Sequence, residues 1–295
     1  MGSPDNEIGR GDDECPQWKA TIFSSDFWGS RANEIGRGDD ECPQRQVTIS
    51  SGFWMGVYPV TQEEWERVTG SNPSYFSDSP AAGETQGRRP VDNVSWYDAL
   101  VFANRLSILE GLSPAYSIEG KTNPDDWGDA PEVDEYDDEY GDEDDYHSAW
   151  DAVEIEEGST GWRLPTEAQW EYAARAGATT AFSNGASDWK NEASVEGIGW
   201  FKFNSGKMTH EVGLKQPNAW GLYDIHGNVW EWCWDRHDDY PAQAQADPAG
   251  ASSGSHRVNR GGGWLVSALL ARSAARIYDN PFDRDNALGF RLVRP

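Results

Sequence analysis

The sequence predicts a loop-rich α+β fold built from short strands and a few short helices. Three observations predict it. Glycine and proline are frequent, with 31 Gly and 16 Pro in 295 residues, which indicates many turns. Three short segments begin with a helix-capping pattern. Elsewhere, apolar and aromatic residues alternate with polar ones, which is typical of half-buried strands.

Each predicted helix follows a Ser or Thr that can cap its first turn. The caps are Thr61, Ser95 and Thr166, and an Asp, Glu or Gln stands three residues after each one. Gly111 and Gly177 are predicted to end the second and third helices, because glycine readily adopts the left-handed conformation of a helix C-terminus.

Strands are predicted over Gln46–Thr61 and, joined by long loops, from Asn218 onward. In the second region Trp230 and Trp232 flank Glu231 on a stretch that we expect to be extended. Side chains alternate between the two faces of a strand, so both rings should face away from the carboxylate.

The sequence NEIGRGDDECPQ occurs twice, as a first copy at Asn6–Gln17 and a second copy at Asn33–Gln44. Only one copy can fill a given place in a domain. We therefore predict that residues 1–28 form a duplicated extension and that the domain spans residues 29–295. A second binding element is the alternative interpretation of the duplication.

Residues 123–146 are crowded with Asp and Glu and contain few aliphatic side chains. Such a segment buries too little apolar surface to offset the entropy lost on ordering, so we predict a flexible, solvated insertion. A calcium-binding acidic loop is the alternative, although the ligand spacing of an EF-hand is missing.

The net charge of −27 disfavours nucleic acid and anionic membranes as partners. The three cysteines, Cys15, Cys42 and Cys233, are too few and too scattered for a disulfide framework. No apolar run is long enough to predict a transmembrane segment. No signal-peptide pattern follows Met1, which leaves open a cytosolic protein or one whose targeting segment is missing.

Six ordered motifs resemble the formylglycine-generating-enzyme/sulfatase-modifying-factor domain, a variant of the C-type lectin fold. They read FWMGVYPVTQEEW (53–65), RPVDNVSWYDALVFANRLS (89–107), GWRLPTEAQWEYAARAG (161–177), NAWGLYDIHGNVWEWCWD (218–235), RVNRGGGW (257–264) and LGFRLV (288–293). The resemblance implies an α+β fold of that type. Arg291, in the last motif, is itself expected to anchor the last strand.

The resemblance also implies an enzymatic alternative, a copper- or iron-dependent oxidase. Formylglycine-generating enzymes hold copper with two cysteines, and the aligned positions here are Val266 and Ala271, which cannot bind a metal. Cys233 is expected to be a small packed residue. The five histidines lack the paired spacing that related iron enzymes use. We therefore expect no copper, no iron and no catalysis.

One structural Ca²⁺ is a further implication of the resemblance. Its oxygen ligands would be the side chains of Asp224 and Glu231 and the backbone carbonyls of Gly227 and Val229, a mixture that suits calcium. The alternative is that Asp224 and Glu231 only accept hydrogen bonds from backbone amides.

Residues 257–293 resemble the variable region of diversity-generating-retroelement proteins, in which adenines of AAC codons are mutated. Such mutation cannot produce Lys, Glu, Gln, Met or Trp, and none of these occurs between Leu265 and Ala287. The candidate ligand-binding positions are Leu265, Val266, Ser267, Leu269, Leu270, Ala271, Ala275, Ile277, Tyr278, Asp279, Phe282, Asp283, Asp285, Asn286 and Ala287. Arg272, Arg276 and Arg284 are expected to hold the backbone. The alternative is that 265–270 is ordinary core.

Together these features predict a non-catalytic ligand-display protein. Its partner would be a macromolecule, a protein or a surface glycan, and its location the cell surface or extracellular space, with the targeting segment absent from this chain. A formylglycine-generating or related oxidase and a structural subunit without a variable ligand are the alternatives.

Overall fold

The computed structural model describes residues 17–20, 24–132 and 149–295, with side chains described from residue 29 onward. The first copy, apart from Gln17, and most of the predicted acidic insertion therefore lie outside the described residues. The helices are α1 Gln62–Thr69, α2 Trp96–Leu109, α3 Glu167–Arg175 and the short α4 Glu192–Val195.

The three predicted helix starts are confirmed. Thr61, Ser95 and Thr166 each cap a helix by a reciprocal bond with the residue three positions on. Helix α2 ends just before Gly111. The last residue of α3 is Arg175, and Ala176 terminates the helix one residue before the predicted Gly177, because this alanine already adopts a left-handed conformation (φ +47°).

The strands are short, as predicted, and form small sheets. They are β1 Gln17–Ala20, β2 Ser24–Trp28, β3 Arg45–Ile49, β4 Phe53–Gly56, β5 Tyr116–Ser117, β6 Glu154–Ile155, β7 Trp230–Arg236, β8 Gln245–Ala246, β9 Arg257–Arg260, β10 Arg276–Asp279, β11 Leu288–Gly289 and β12 Val293–Arg294. The sheet orders are β10-β9-β7-β11, β1-β4-β12, β2-β3-β8 and β5-β6.

Aromatic side chains build the main core between α2 and β7. Trp96 and Trp232 are fully buried, and each indole N–H donates to a backbone carbonyl, of Cys233 at 2.9 Å and of Val94 at 3.0 Å. Trp230 and Trp232 lie in this core, whereas Glu231 bonds to Trp170 in a second cluster behind the strand. The predicted alternation along β7 is confirmed.

Residue 123 is too early a start for the predicted flexible insertion, because part of the chain just after it packs against the rest of the fold. Residues 124–126 form a 3-10 turn, and Trp127 is buried edge-on against Trp150 at 5.4 Å. One aromatic side chain supplies the apolar burial that the composition of 123–146 as a whole lacks, so Pro124 and Trp127 are packed while most other residues of 123–132 stay exposed. Residues 133–146 lie outside the described residues. Within the described ranges, no helix is long and apolar enough to cross a bilayer.

Candidate ligand-binding face

Trp264 joins the two ends of the predicted ligand-binding segment, residues 265–287. Its backbone N–H donates to the carbonyl of Asn228 at 2.8 Å, and its indole N–H donates to the carbonyl of Asn286 at 2.9 Å. Between these ends the chain forms a 3-10 turn over Ala268–Ala271 and then strand β10, antiparallel to β9. The segment is therefore closed at its base and follows a defined path.

Three arginines hold the backbone of the 265–287 segment, as predicted. Arg276 forms a two-point pair with Glu167 at 2.8 and 2.9 Å, and Arg284 pairs with Asp98 at the first turn of α2. Arg272 binds the second copy of the duplicated sequence. Planar guanidinium groups fix orientation as well as distance, because two parallel bonds form at once.

A buried network of charged side chains holds the backbone that leads into strand β10. Arg260 donates to Glu171 at 2.5 Å and to the carbonyls of Ala274 and Ser273 at 2.8 and 3.0 Å. Burial alone would raise the pKa of Glu167, but Arg276 and Arg260 hold it below its ordinary value. The Glu167 carboxylate therefore stays charged and keeps Arg276 and Arg260 paired, so the strand rests on a rigid polar base.

Twelve of the fifteen candidate positions are exposed or half-buried. Leu265 and Tyr278 are the most open of the large apolar ones, with 38% and 48% of their surface exposed. The accessible positions are Leu265, Val266, Ser267, Leu269, Leu270, Ile277, Tyr278, Asp279, Phe282, Asp283, Asp285 and Asn286.

The remaining candidates, Ala271, Ala275 and Ala287, are fully buried, so the prediction that they face a ligand is wrong. Ala271 packs in a small cluster with Phe182 and Phe201, and Ala287 belongs to the main core. A methyl group fits these narrow places, whereas a larger side chain would meet the core.

Half of the alternative interpretation also holds. Within 265–270, Val266 and Leu270 are half-buried and pack against the main core, and outside that stretch Ile277 and Phe282 do the same. Each offers part of its surface to solvent and uses the rest as an anchor. The face is thus a row of side chains seated on the core, with Leu265 and Tyr278 projecting furthest.

Tyr278 lies between two histidines. Its ring is tilted over His237 at 4.1 Å between centroids and meets the edge of His256 at 5.0 Å. Burial, followed by the charge of Arg276, lowers the pKa of His237. The ring of His237 is therefore neutral near pH 7 and suited to stacking.

Acidic residues border the apolar part of the face. Burial raises the pKa of Asp279 to about 6, and the neighbouring charges of Asp283 and Asp285 add to the effect. The rim is negative, and the pKa of Asp279 lies about one unit below neutral pH.

Sequence reasoning missed two fixed residues beside this face. Tyr75 is 67% exposed and lies edge-on to Phe76, whose ring in turn meets Trp264 at 5.3 Å. Ile35, 48% exposed, precedes Gly36, which contacts Leu269. An isolated tyrosine in a Ser- and Pro-rich loop carries no periodic signal, so only the fold places it near residue 264.

The residues predicted to bind calcium do not fit the ion in this arrangement. Both carboxylate oxygens of Glu231 are bonded to Arg291, at 2.7 and 2.8 Å, and one also accepts from Trp170. Asp224 accepts the backbone N–H of Gly213 at 2.7 Å, as the alternative interpretation expects. Arg291 supplies the positive charge and anchors its strand as predicted. Calcium binding itself stays a prediction, which calcium titration with thermal unfolding would test.

The positions that align with copper ligands lie in the 265–287 segment as Val266 and Ala271. Cys233 is fully buried in β7, and burial raises the pKa of its thiol well above the ordinary value. His226 Nδ1 donates to the carbonyl of Ala271 at 2.7 Å, and its Nε2 accepts the backbone N–H of Ser183 at 3.2 Å and lies 2.9 Å from Ser183 Oγ. These side chains are engaged in packing and hydrogen bonding.

Comparison with known proteins agrees with this architecture. The chaperone protein LppX of Paenibacillus barcinonensis is 34% identical over 266 residues, covering 83% of this chain and 80% of that protein. The formylglycine-generating enzyme of Streptomyces coelicolor is 33% identical over 164 residues, about half of each chain (50% and 51%).

Among solved structures, Treponema denticola variable protein 1 superposes with a TM-score of 0.80 at 37% identity, covering 99% of this chain and 100% of that chain. The predicted C-type lectin fold of the formylglycine-generating-enzyme type and the resemblance to retroelement variable proteins are both confirmed. The sequence matches the sulfatase-modifying factor enzyme 1-like domain over residues 27–295, and the chain therefore belongs to that family.

Proposed function

We propose that this chain is a non-catalytic ligand-display protein whose 265–287 segment binds macromolecular targets. One observation carries the proposal: exposed apolar side chains stand on a backbone that buried arginine pairs hold in place. Exposed apolar surface with a polar rim is typical of interaction sites. The similarity to Treponema denticola variable protein 1 supports the same function.

Side chains can change on this face without a change in the backbone. The bonds of Arg260, Arg272, Arg276 and Trp264 run to backbone carbonyls and to residues outside the accessible set. Rigid support with exchangeable side chains is what diversification of a binding surface requires. Tyr278 is the natural anchor of the present surface, because aromatic residues dominate binding hot spots.

The partner is proposed to be a protein or a surface glycan, and the location the cell surface or the extracellular space. The net charge of −27 makes nucleic acid an improbable partner, because phosphates and this surface repel each other. The acidic rim of Asp279, Asp283 and Asp285 favours a target with basic groups around an apolar centre.

Sequencing the locus in several isolates tests the proposal. We expect changes at the twelve accessible positions, together with a nearby template repeat carrying AAC codons there. The matched control is internal: Ala271, Ala275 and Ala287, with Arg272 and Arg276, should stay constant. Variation spread evenly along the chain would reject display and favour a structural subunit.

The oxidase alternative is supported by the formylglycine-generating enzyme that matches half of the chain. A copper-dependent turnover assay on a cysteine-containing peptide separates the two functions. We expect no turnover, because Val266 and Ala271 offer no thiolate and Cys233 is sealed in the core. Measurable oxidation of the peptide would overturn the display proposal.

A further inference from the structure

The second copy of the duplicated sequence binds one buried arginine of the 265–287 segment. Arg272 donates to Glu34 at 2.6 Å, to both oxygens of Glu41 at 2.5 and 2.9 Å, and to the carbonyl of Gly36 at 2.7 Å. All three charged side chains are nearly inaccessible to solvent. We call the surroundings of Arg272 the arginine dock.

The surroundings of the arginine dock also require glycine at position 36. Gly36 adopts a left-handed conformation (φ +84°), and a Cβ there would collide with Leu269 Cδ1 and stand 2.8 Å from the indole nitrogen of Trp189. Only glycine fits. The arginine dock therefore recognises a specific loop: two glutamates, Glu34 and Glu41, with a glycine between them.

The first copy repeats every one of these contact residues. An offset of 27 residues relates the two copies, and the match includes the serine that bonds to Glu41 in the second copy. The counterparts of Ser30, Glu34, Gly36 and Glu41 are Ser3, Glu7, Gly9 and Glu14. Identical side chains in identical order can make identical bonds, so the sequence contains a second candidate ligand for the site.

We propose that the arginine dock is a binding site for this acidic loop and that the first copy of the same chain can replace the second copy in it. The two occupied states share the contacts to Arg272 and differ in the strand that comes after the loop. In the described state Arg45–Ile49 follows the loop as strand β3, and in the other state the stretch of sequence after Gln17 follows it.

The flanking residues explain why the second copy fills the dock in this structure. Val47 is fully buried in β3, and Arg45 donates to Gln245 at 2.9 Å and covers the ring of Tyr240. After a shift of 27 residues these places would receive Ala20 and Trp18. Loss of the buried valine methyls alone favours the second copy by roughly tenfold or more. Exchange must also release β1 from β4 and β2 from β3.

The exchange can be tested in the full chain with the same pair of substitutions in each copy. Glu34→Gln with Glu41→Gln removes the charges of the second copy, and Glu7→Gln with Glu14→Gln removes those of the first. We expect no change in Tm for the first-copy variant. The second-copy variant should lose only a few degrees, since the first copy takes over.

The variant with all four substitutions should lose about 10 °C, because Arg272 is then buried without a counter-charge. The proposal is overturned if the second-copy variant already loses as much as the fourfold variant. A dimer of the second-copy variant in light scattering would also overturn it, since the first copy would then act between chains.

Thiol labelling supplies a readout that does not depend on stability. Cys42 belongs to the second copy, where it is half-buried and its thiol donates to the carbonyl of Gly38 at 3.3 Å. Its counterpart in the first copy is Cys15, and trypsin yields different peptides for the two. In the second-copy variant we expect the labelling rate of Cys42 to rise at least about threefold and that of Cys15 to fall. An unchanged ratio of the two rates would refute exchange.

Discussion

Tolerance to substitution within the 265–287 segment should follow burial and not position in the sequence. The sharpest comparison introduces asparagine, the residue that an AAC codon encodes, at Ala287 and at Tyr278. Ala287 is fully buried in the main core, and its carbonyl accepts the backbone N–H of Trp230 at 2.7 Å. Tyr278 is 48% exposed and contacts only the two histidine rings among the aromatic residues described.

The two costs can be worked out from these surroundings. An asparagine at position 287 would bury an amide without hydrogen-bond partners, which costs about 1–3 kcal/mol. Its larger side chain would also overfill the core, which costs about 1–3 kcal/mol more. Ala287→Asn should therefore reduce the free energy of unfolding by about 2–6 kcal/mol. Tyr278→Asn loses a partly exposed ring contact, which is worth about 1 kcal/mol.

Thermal unfolding followed by circular dichroism measures the difference. At about 2–4 °C per kcal/mol for a chain somewhat smaller than this one, Ala287→Asn should lower Tm by roughly 5–20 °C and Tyr278→Asn by a few degrees. Leu265→Asn is a second exposed control and should resemble Tyr278→Asn. Equal losses at 278 and 287 would refute the assignment of one position to the ligand face and the other to the core.

Three other predictions concern buried groups. Glu231→Gln leaves Arg291 buried without its counter-charge and should lower the free energy of unfolding in urea by about 3–5 kcal/mol. The exposed control Asp125→Asn should change that free energy by less than about 1 kcal/mol. A similar loss for both variants would contradict the burial argument. Burial raises the pKa of Asp92 to about 7, so the folded state binds a proton that the unfolded state has already released above pH 4. This stabilisation is present at low pH and lost as pH rises to 7, and Asp92→Asn should remove up to about 4 kcal/mol of that pH dependence; unchanged pH profiles would show that the carboxyl is ionised throughout. The thiol of Cys233 should resist iodoacetamide in the folded protein and react on denaturation, since it is buried and its pKa is raised; rapid labelling of the native chain would place it at the surface.

The helix starts and the faces of β7 could be predicted because local chemistry determines both. Thr61, Ser95 and Thr166 cap helices through bonds that span only three residues, and alternation on a strand needs no knowledge of distant partners. The role of the C-terminal arginines was also predictable, because guanidinium groups in an apolar stretch require fixed acceptors.

The ligand face could be predicted only in part. The codon argument treats Ala271, Ala275 and Ala287 like their neighbours, because it concerns which residues can arise and not where they point. Burial depends on Phe182, Phe201 and other residues far away in sequence. Tyr75 was missed for the same reason, since only tertiary contacts bring its loop beside Trp264.

The two histidines around Tyr278 bear on affinity as well as on shape. A tyrosine free in solvent must lose rotational freedom when a partner captures it, which costs about 0.5–1.5 kcal/mol for an immobilised side chain. Here His237 and His256 restrict the ring before any partner arrives. Part of that entropic cost is thus met during folding. Any aromatic residue at position 278 would be held by the same two histidine rings before a partner binds.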